Sequence, residues 1–242
     1  MTIESAVLAD AFTEVAQRRR STRVFDATRD VDGDTVDQLL DVARWAPSGA
    51  NAQPWEFIVI RDSGTRARIV ELYLEQVGTK QRMEEVVWKR KLTTGNVGFR
   101  HAPVFVLVVA DTRVVRAFPV RTIREKGRDH LMSSMANATL LVHLAAASRG
   151  LATQWLSDVS SPYMSTFLKE WLDIPDHIEV YDMIPISWPG VHPDPPPRRP
   201  LAEIVHREHY QPDLMRDEEA LDAFLWSQTR LAAFGARPGA RR

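Results

Sequence analysis

The spacing of apolar and polar positions divides the chain into a short series of helices and strands. Residues 4–18 place Val7, Ala11 and Val15 at helical intervals with Leu8 and Phe12 alongside, which predicts a helix ending in basic residues. A second helix is expected from an N-cap at Asp34, with Val36, Leu39, Leu40 and Ala43 on one buried face and Pro47 as its stop. Residues 55–61 read as a central strand, continuous in apolar character. Residues 65–93 read as one or two helices, with Ile69, Leu72, Tyr73 and Leu74 apolar, and a break is expected at Thr93-Thr94-Gly95-Asn96. Val104 to Ala110 carries almost no polarity and is expected to be a strand buried on both faces. The stretch 112–130, with Pro119 and several charges, reads as a surface loop in preference to a mobile excursion over a site. Residues 131–149 are apolar or small on nearly every side, so this helix is expected in a core or a subunit interface, with Gly150 at its C′ position.

The second half follows the same logic. Residues 151–157 read as a strand, and Ser161-Pro162 is an N-cap followed by Pro at N1. The helix they open carries Met164, Phe167, Leu168, Trp171 and Leu172 and stops near Pro175. Another strand is expected over 178–188, ended by Pro189-Gly190. Pro193 to Pro200 reads as an extended, polyproline-like segment. A short helix over 201–210 and an amphipathic one from Leu214 to Phe234 complete the elements, before a basic Gly/Pro-containing tail from Gly235. The expected organisation is a main domain over 1–210 and a helical extension over 211–242.

Composition narrows the function classes. The net charge is −1, which argues against nucleic acid as the main partner and makes local charge the informative feature. There is no cysteine, so disulfides, thiolate metal sites and cysteine nucleophiles are excluded. The start, Met-Thr-Ile-Glu-Ser, lacks the charged and apolar regions of a signal peptide, and no unbroken apolar run reaches the roughly 18–20 residues of a membrane span. A cytoplasmic protein with no membrane partner is expected. Phosphate-binding Gly-x-Gly-x-x-Gly and Walker A loops are absent, and the run His206-Arg207-Glu208-His209 reads as a solvated helix face, not a metal site. His143 reads as a core or interface histidine, since no acid/base partner stands out near it.

Two segments carry the candidate chemistry. Residues 46–55 read Ala-Pro-Ser-Gly-Ala-Asn-Ala-Gln-Pro-Trp. Pro47 and Pro54 forbid a helix through this loop, and Ser48, Gly49, Asn51 and Gln53 can bring backbone N–H groups and short donors close to a flat polar ligand; a plain helix-to-strand connector would look the same. Residues 18–25 place four arginines, Arg18, Arg19, Arg20 and Arg23, around Ser21. Guanidinium forks beside a hydroxyl suit a phosphate, although Arg18 and Arg19 are also favoured at a helix C-terminus without any ligand.

In this order the segments resemble the nitroreductase family of FMN enzymes, which opens with an Arg-Arg-Ser-x-Arg-x-Phe block (here Arg19 to Phe25) and follows it with Ala-Pro-Ser-x-x-Asn-x-Gln-Pro-Trp (here Ala46 to Trp55). Weaker resemblance continues to about residue 207. It implies an α+β fold: a central, mostly antiparallel sheet flanked by helices, in an intertwined homodimer with FMN at the subunit interface. It further implies that Arg19, Arg20 and Ser21 hold the phosphate and ribityl end and that Arg23 lies near the pyrimidine edge. Pro47, Ser48, Gly49, Asn51 and Gln53 would approach the flavin bound mainly by the partner chain. Leu156 and Ser157, with Thr153 and Trp155 as further candidates, would meet the flavin edge, and Arg198 and Arg199 would close the phosphate site. The implied activity passes hydride from NAD(P)H through flavin N5 to a nitroaromatic, quinone or enone, with no dedicated catalytic side chain and no metal. Reductive dehalogenation and oxygen-dependent flavin breakdown occur in the same family. A flavin carrier or sensor without turnover, and a module binding another anion, are the alternatives from other classes. A further family feature, a polar residue ahead of the second strand that reaches the flavin, would fall on Lys91, Thr94 or Asn96.

Overall fold

The computed structural model describes residues 3–89 and 97–228. They fall into two compact units, one built from Met1–Gln76 with Asn96–Pro193 and the other from Val77–Gly95 with Asp194–Arg242. The expected break at Thr93–Asn96, the candidates Lys91, Thr94 and Asn96, and the end of the last helix with the basic tail lie outside the described residues.

The first unit is organised on an antiparallel sheet of β1 (Trp55–Ile60), β2 (Val104–Asp111), β3 (Ala152–Thr153) and β4 (Ile178–Ser187), in the order β1-β2-β4-β3. With the helices around it this is the expected α+β architecture. β2 is buried along nearly its whole length, as its composition requires. Its alternate residues serve two layers. Val104, Val106, Val108 and Ala110 join the core beneath α2 (Gly33–Ala43) and α4 (Val120–Ser148). Phe105 meets Phe99, and Phe99 meets the edge of Tyr73 on α3 (Ser63–Trp88). α1 (Ile3–Arg18) packs on α4, and α5 (Pro162–Trp171) buries Met164 and Leu168. Capping follows chemistry: Ser161 Oγ accepts the Met164 N–H, and Gly150 sits at φ +70° as the C′ residue of α4.

Five expectations are corrected. Among the described residues β1 is an edge strand, not a central one; its partner there is β2, and Glu56 and Val59 are exposed. The N-cap of α2 is Asp32, whose carboxylate accepts the Thr35 N–H at 2.7 Å, while Asp34 lies in the first turn. Residues 112–130 are not a loop: a 3-10 segment runs from Thr112 to Ala117, and α4 already begins at Val120. Pro119 starts that helix instead of interrupting it, and Arg121 pairs with Glu125 one turn on. The strand expected over 151–157 shrinks to Ala152–Thr153, with a further bridge between Leu156 and Met183. The helix expected over 201–210 is one 3-10 turn, Leu201–Glu203.

α4 carries an 18-residue window with mean hydropathy 1.2, enough by length and composition to cross a membrane, but half of that window is buried inside the protein, as in a core helix. The second unit contains the extended proline-rich segment and α6 (Glu218–Gln228), whose first turn is capped by Asp217. Within it Arg199 hydrogen-bonds the Glu203 carbonyl at 2.8 Å, Arg198 reaches the carbonyls of Pro196 and Pro197, and Arg216 lies over the Phe224 ring.

Candidate functional site

The arginine-rich segment leaves α1 and runs extended along the end of the sheet. Thr22 N–H donates to the Thr153 carbonyl at 3.0 Å, Asp26 N–H to Trp188, and Gly190 N–H to Val24. Gly190 suits this close approach, since a Cβ would lie a tight 3.2 Å from the Phe25 backbone. Thr22 and Phe25 are buried, while Ser21, Arg23 and Val24 between and beside them are exposed.

Arg19 and Arg20 are half-buried and, with Arg18, Thr22, Thr153 and His192, line a cavity of about 360 Å³. Arg18 is tied to Glu14 at 2.5 Å on the exposed face of α1. Arg20 is anchored through Nη1 to the carbonyls of Gln17 and Arg19, and its buried Nε has no hydrogen-bond partner among the described residues. A guanidinium held by one end with a donor left over is suited to receive an anion. Ser21 and Arg23 are not on this cavity wall; Arg23 Nη1 approaches the Ser21 carbonyl at 3.4 Å.

Behind the cavity, His143 is buried and its Nδ1 lies 2.7 Å from Thr153 Oγ1. Burial, helped by the nearby Arg19 charge, pushes the imidazole down to about 4, so it is neutral at ordinary pH. Its role in this arrangement is to fix Thr153, in keeping with a core histidine.

The Pro-Ser-Gly loop is held in an unusual shape. Ala50, Asn51 and Gln53 all have positive φ (54°, 49° and 46°), a conformation that costs energy for residues with a Cβ. Side chains on α4 and in the loop lock it: Gly49 N–H donates to Ser134 Oγ at 3.2 Å, Asn137 donates to the Pro47 carbonyl at 3.0 Å, and Gln53 N–H donates to Ser48 Oγ at 3.0 Å. Gly49 packs on Phe118, whose ring would lie 2.9 Å from an added Cβ. The arginine cavity is lined instead by Ala147 and Gly150 at the other end of the same helix. At 1.5 Å per residue, the stretch of α4 from Ser134 to Ala147 spans roughly 20 Å. The two sequence motifs are therefore well apart within one chain.

Residues 153–157 connect the arginine cavity to a second one of about 450 Å³, lined by Met132, Trp155, Ser157, Tyr181, Asp182 and others. Leu156 is buried and exchanges backbone hydrogen bonds with Met183, and Ser157 is exposed, its carbonyl bonded by Ser160. Arg198 and Arg199 belong to the second unit, where the contacts given above hold them. Among the described residues no cluster of His, Asp and Glu could hold a metal ion.

Sequence reasoning missed Ser134 and Asn137, which brace the loop, and Asp182. Helical residues that bond to a distant loop leave no local pattern. Asp182 did leave one: it is the lone charge inside the apolar run from Tyr181 to Trp188.

An antiparallel α+β sheet closed by a long buried helix, with a cationic cavity where the first helix ends, defines the class of protein. The nitroreductase family model matches residues 16–188, and the chain belongs to the nitroreductase family. An Archaeoglobus fulgidus protein, provisionally named an NADH dehydrogenase/NAD(P)H nitroreductase, is 26% identical over 171 residues, covering 71% of this chain and 81% of its own. Iodotyrosine deiodinase 1 of Sus scrofa is 27% identical over 207 residues, covering 80% of this chain and 67% of its own. Among solved structures, a Desulfovibrio desulfuricans protein in complex with FMN shares the fold, with a TM-score of 0.59, 23% identity, and coverage of 83% of this chain and 98% of that one.

Proposed function

We propose that the protein is an FMN-dependent oxidoreductase that oxidises NAD(P)H and reduces a small organic acceptor such as a nitroaromatic, quinone or enone. The observation that carries this reading is Arg20, whose buried, unpartnered Nε lies beside Arg19 in a cavity bounded by Thr153, within a chain of this family. The cavity residues Arg19 and Arg20 fit the FMN phosphate and would hold it; Ser21 and Arg23, which lie off that wall, would serve the ribityl end and the negative charge at the ring. FMN, when bound, accepts hydride from the nicotinamide and gives up electrons to the acceptor. The chain's own part is to hold, orient and exclude water, which agrees with the lack of a catalytic triad or carboxylate pair in the sequence.

The proposal includes a homodimer. Val7, Leu8 and Phe12 on α1 and Trp45 after α2 are largely exposed, forming apolar surface that a monomer leaves in water. The roughly 20 Å along α4 between the Pro-Ser-Gly loop and the arginine cavity further favours two chains sharing each site, with the loop residues Pro47, Ser48, Gly49, Asn51 and Gln53 serving the partner's cofactor.

The test is the visible spectrum of the purified protein, followed by NADH or NADPH without oxygen. Flavin absorbance that bleaches supports the enzyme; flavin that stays oxidised favours a carrier. Replacing Arg19 and Arg20 together by Ala should release FMN from a folded protein, and retained yellow colour would sink the phosphate assignment. The deiodinase relatives favour one second reading, reductive removal of halide from an aromatic ring, which iodide release from an iodophenol would reveal.

A further inference from the structure

The second cavity contains a feature that core packing does not explain. In the β2–β4 ladder Val108 faces Asp182 while Val109 faces Val180, so Tyr181 is an extra residue and β4 bulges there. Bulges re-aim the side chains next to them. Here the neighbour is Asp182, only 2% exposed, which lines the cavity together with Trp155 and whose Oδ2 has no partner among the described residues; the Trp155 side chain is the one group that draws its carboxyl down against burial. Trp155 is the reverse case: a large apolar side chain that is 60% exposed at the cavity. A buried carboxylate with so few partners costs stability that an apolar residue would not. A carboxylate in that position can accept an indole N–H and so fix the ring. Tryptophan has two rotatable side-chain bonds, and an exposed one samples several rotamers unless its N–H is held.

The position of the indole says what it faces. Thr153 lines the arginine cavity and Trp155 and Ser157 line this one, so a cofactor anchored at Arg19 and Arg20 and running along residues 153–157 would lead towards it. Met132 adds apolar surface, and Arg128 is already paired with Glu179 at 3.1 Å. We propose that this cavity receives a planar aromatic electron acceptor, that the Trp155 indole is the wall against which it packs, and that Asp182 is a positioning residue that holds the indole. The inference rests on the flavoenzyme reading given above and specifies its acceptor site.

Two measurements test it. The first is the indole N–H resonance of Trp155, identified by its disappearance in Trp155→Phe. It should exchange with solvent at least about tenfold more slowly than an exposed indole, and its position should move with pH in the wild type but not in Asp182→Asn. The other charged or titratable groups that line the cavity with Asp182, among the described residues, are Arg128 from α4, Lys169 from α5, and Glu179 and Tyr181 from β4. A titration that persists in Asp182→Asn would belong to them, and it would overturn the tether, as would unprotected exchange. The second measurement compares 1,4-naphthoquinone, which must stack, with ferricyanide, which need not. Trp155→Ala and Asp182→Leu should each raise KM for the quinone about five- to tenfold, a rise several times larger than either shows with ferricyanide at equal flavin content. Asp182→Asn, which still accepts the indole N–H, should stay close to wild type. An unchanged quinone KM in Trp155→Ala, or equal losses with both oxidants, would overturn the acceptor site while leaving the flavin assignment standing. A wild-type protein that reduces neither oxidant would overturn the acceptor site and the flavoenzyme reading together, with the indole resonance still deciding the tether.

Discussion

Stability between pH 4 and 7 is set by two buried groups that pull in opposite directions. His143 is held down to about 4 from an ordinary 6.5, chiefly by burial. The unfolded chain therefore binds a proton that the folded chain refuses, and its contribution is lost as pH falls below 6.5. Between pH 7 and 4.5 the loss is about 2 kcal/mol. Asp182 is pushed up to about 6 from 3.8, again chiefly by burial. Its folded form binds a proton that the unfolded chain has given up, so stability rises as pH falls from 6 towards 3.8, by about 2 kcal/mol over the same range. The two nearly cancel. Wild-type unfolding in urea, without added flavin, should change by less than about 1 kcal/mol between pH 7 and 4.5.

Single substitutions should break the balance with opposite signs. His143→Gln keeps a partner for Thr153 but does not titrate, so the variant should gain about 2 kcal/mol on going from pH 7 to 4.5. Asp182→Asn should lose about as much over the same interval, because only His143 then responds. Other shifted carboxyls stay out of the window: Asp111, bonded by Arg113, is lowered to about 2, and Asp26, Asp32 and Asp62 are lowered by bonds from the threonines that follow them. If both variants kept the wild-type profile, or if both moved in one direction, the burial argument for these two groups would be wrong.

Two further predictions concern the Pro-Ser-Gly loop. Gly49→Ala forces Phe118 aside, since the new Cβ would approach its ring to 2.9 Å; FMN affinity should fall, while thermal unfolding shows a cost of about 1–3 kcal/mol. Ala50→Gly removes the strain of φ 54°, and after the added freedom of the unfolded chain the net gain should be about 0.5 kcal/mol in urea unfolding.

Much of the fold was legible because its elements are marked by strong local chemistry. The apolar run of β2, the Ser161-Pro162 start and Gly150 all lie where their residue types demand. The errors come from competition between signals. The stretch 112–130 reads as a surface loop because of Pro119 and its several charges, yet a proline is accommodated at a helix start, here as the N-cap, and α4 keeps its charges on its solvent side until Leu131 enters the core. The strand over Trp55–Ile60 reads as central because it is nearly continuous in apolar character, and an edge strand with half-buried Phe57 and Ile58 gives the same pattern. In the site, the arginines and the loop were visible as motifs. The bulge at Tyr181 was not, because register belongs to the pairing of two strands and not to either alone.

α4 does more than fill the core. Near its middle Ser134 and Asn137 lock the Pro-Ser-Gly loop into its positive-φ shape, and near its end His143 fixes Thr153 at the arginine cavity. One rigid helix thus sets the separation of the two motifs, and a rigid helix does not bend to bring them together. Under the proposed dimer that separation becomes useful, because each chain presents its loop to one cofactor and its arginines to another. Weakening the hold at the loop, by Asn137→Ala for example, should then lower flavin affinity through the partner's site while the arginine cavity of the same chain stays intact. A mixed dimer separates the cases. A subunit carrying Asn137→Ala, paired with one carrying Arg19→Ala and Arg20→Ala, should contain one sound site with wild-type loop and wild-type arginines and one site with both defects. It should therefore bind one FMN per dimer with near wild-type affinity, whereas sites confined to single chains would leave every site damaged and flavin binding weak throughout.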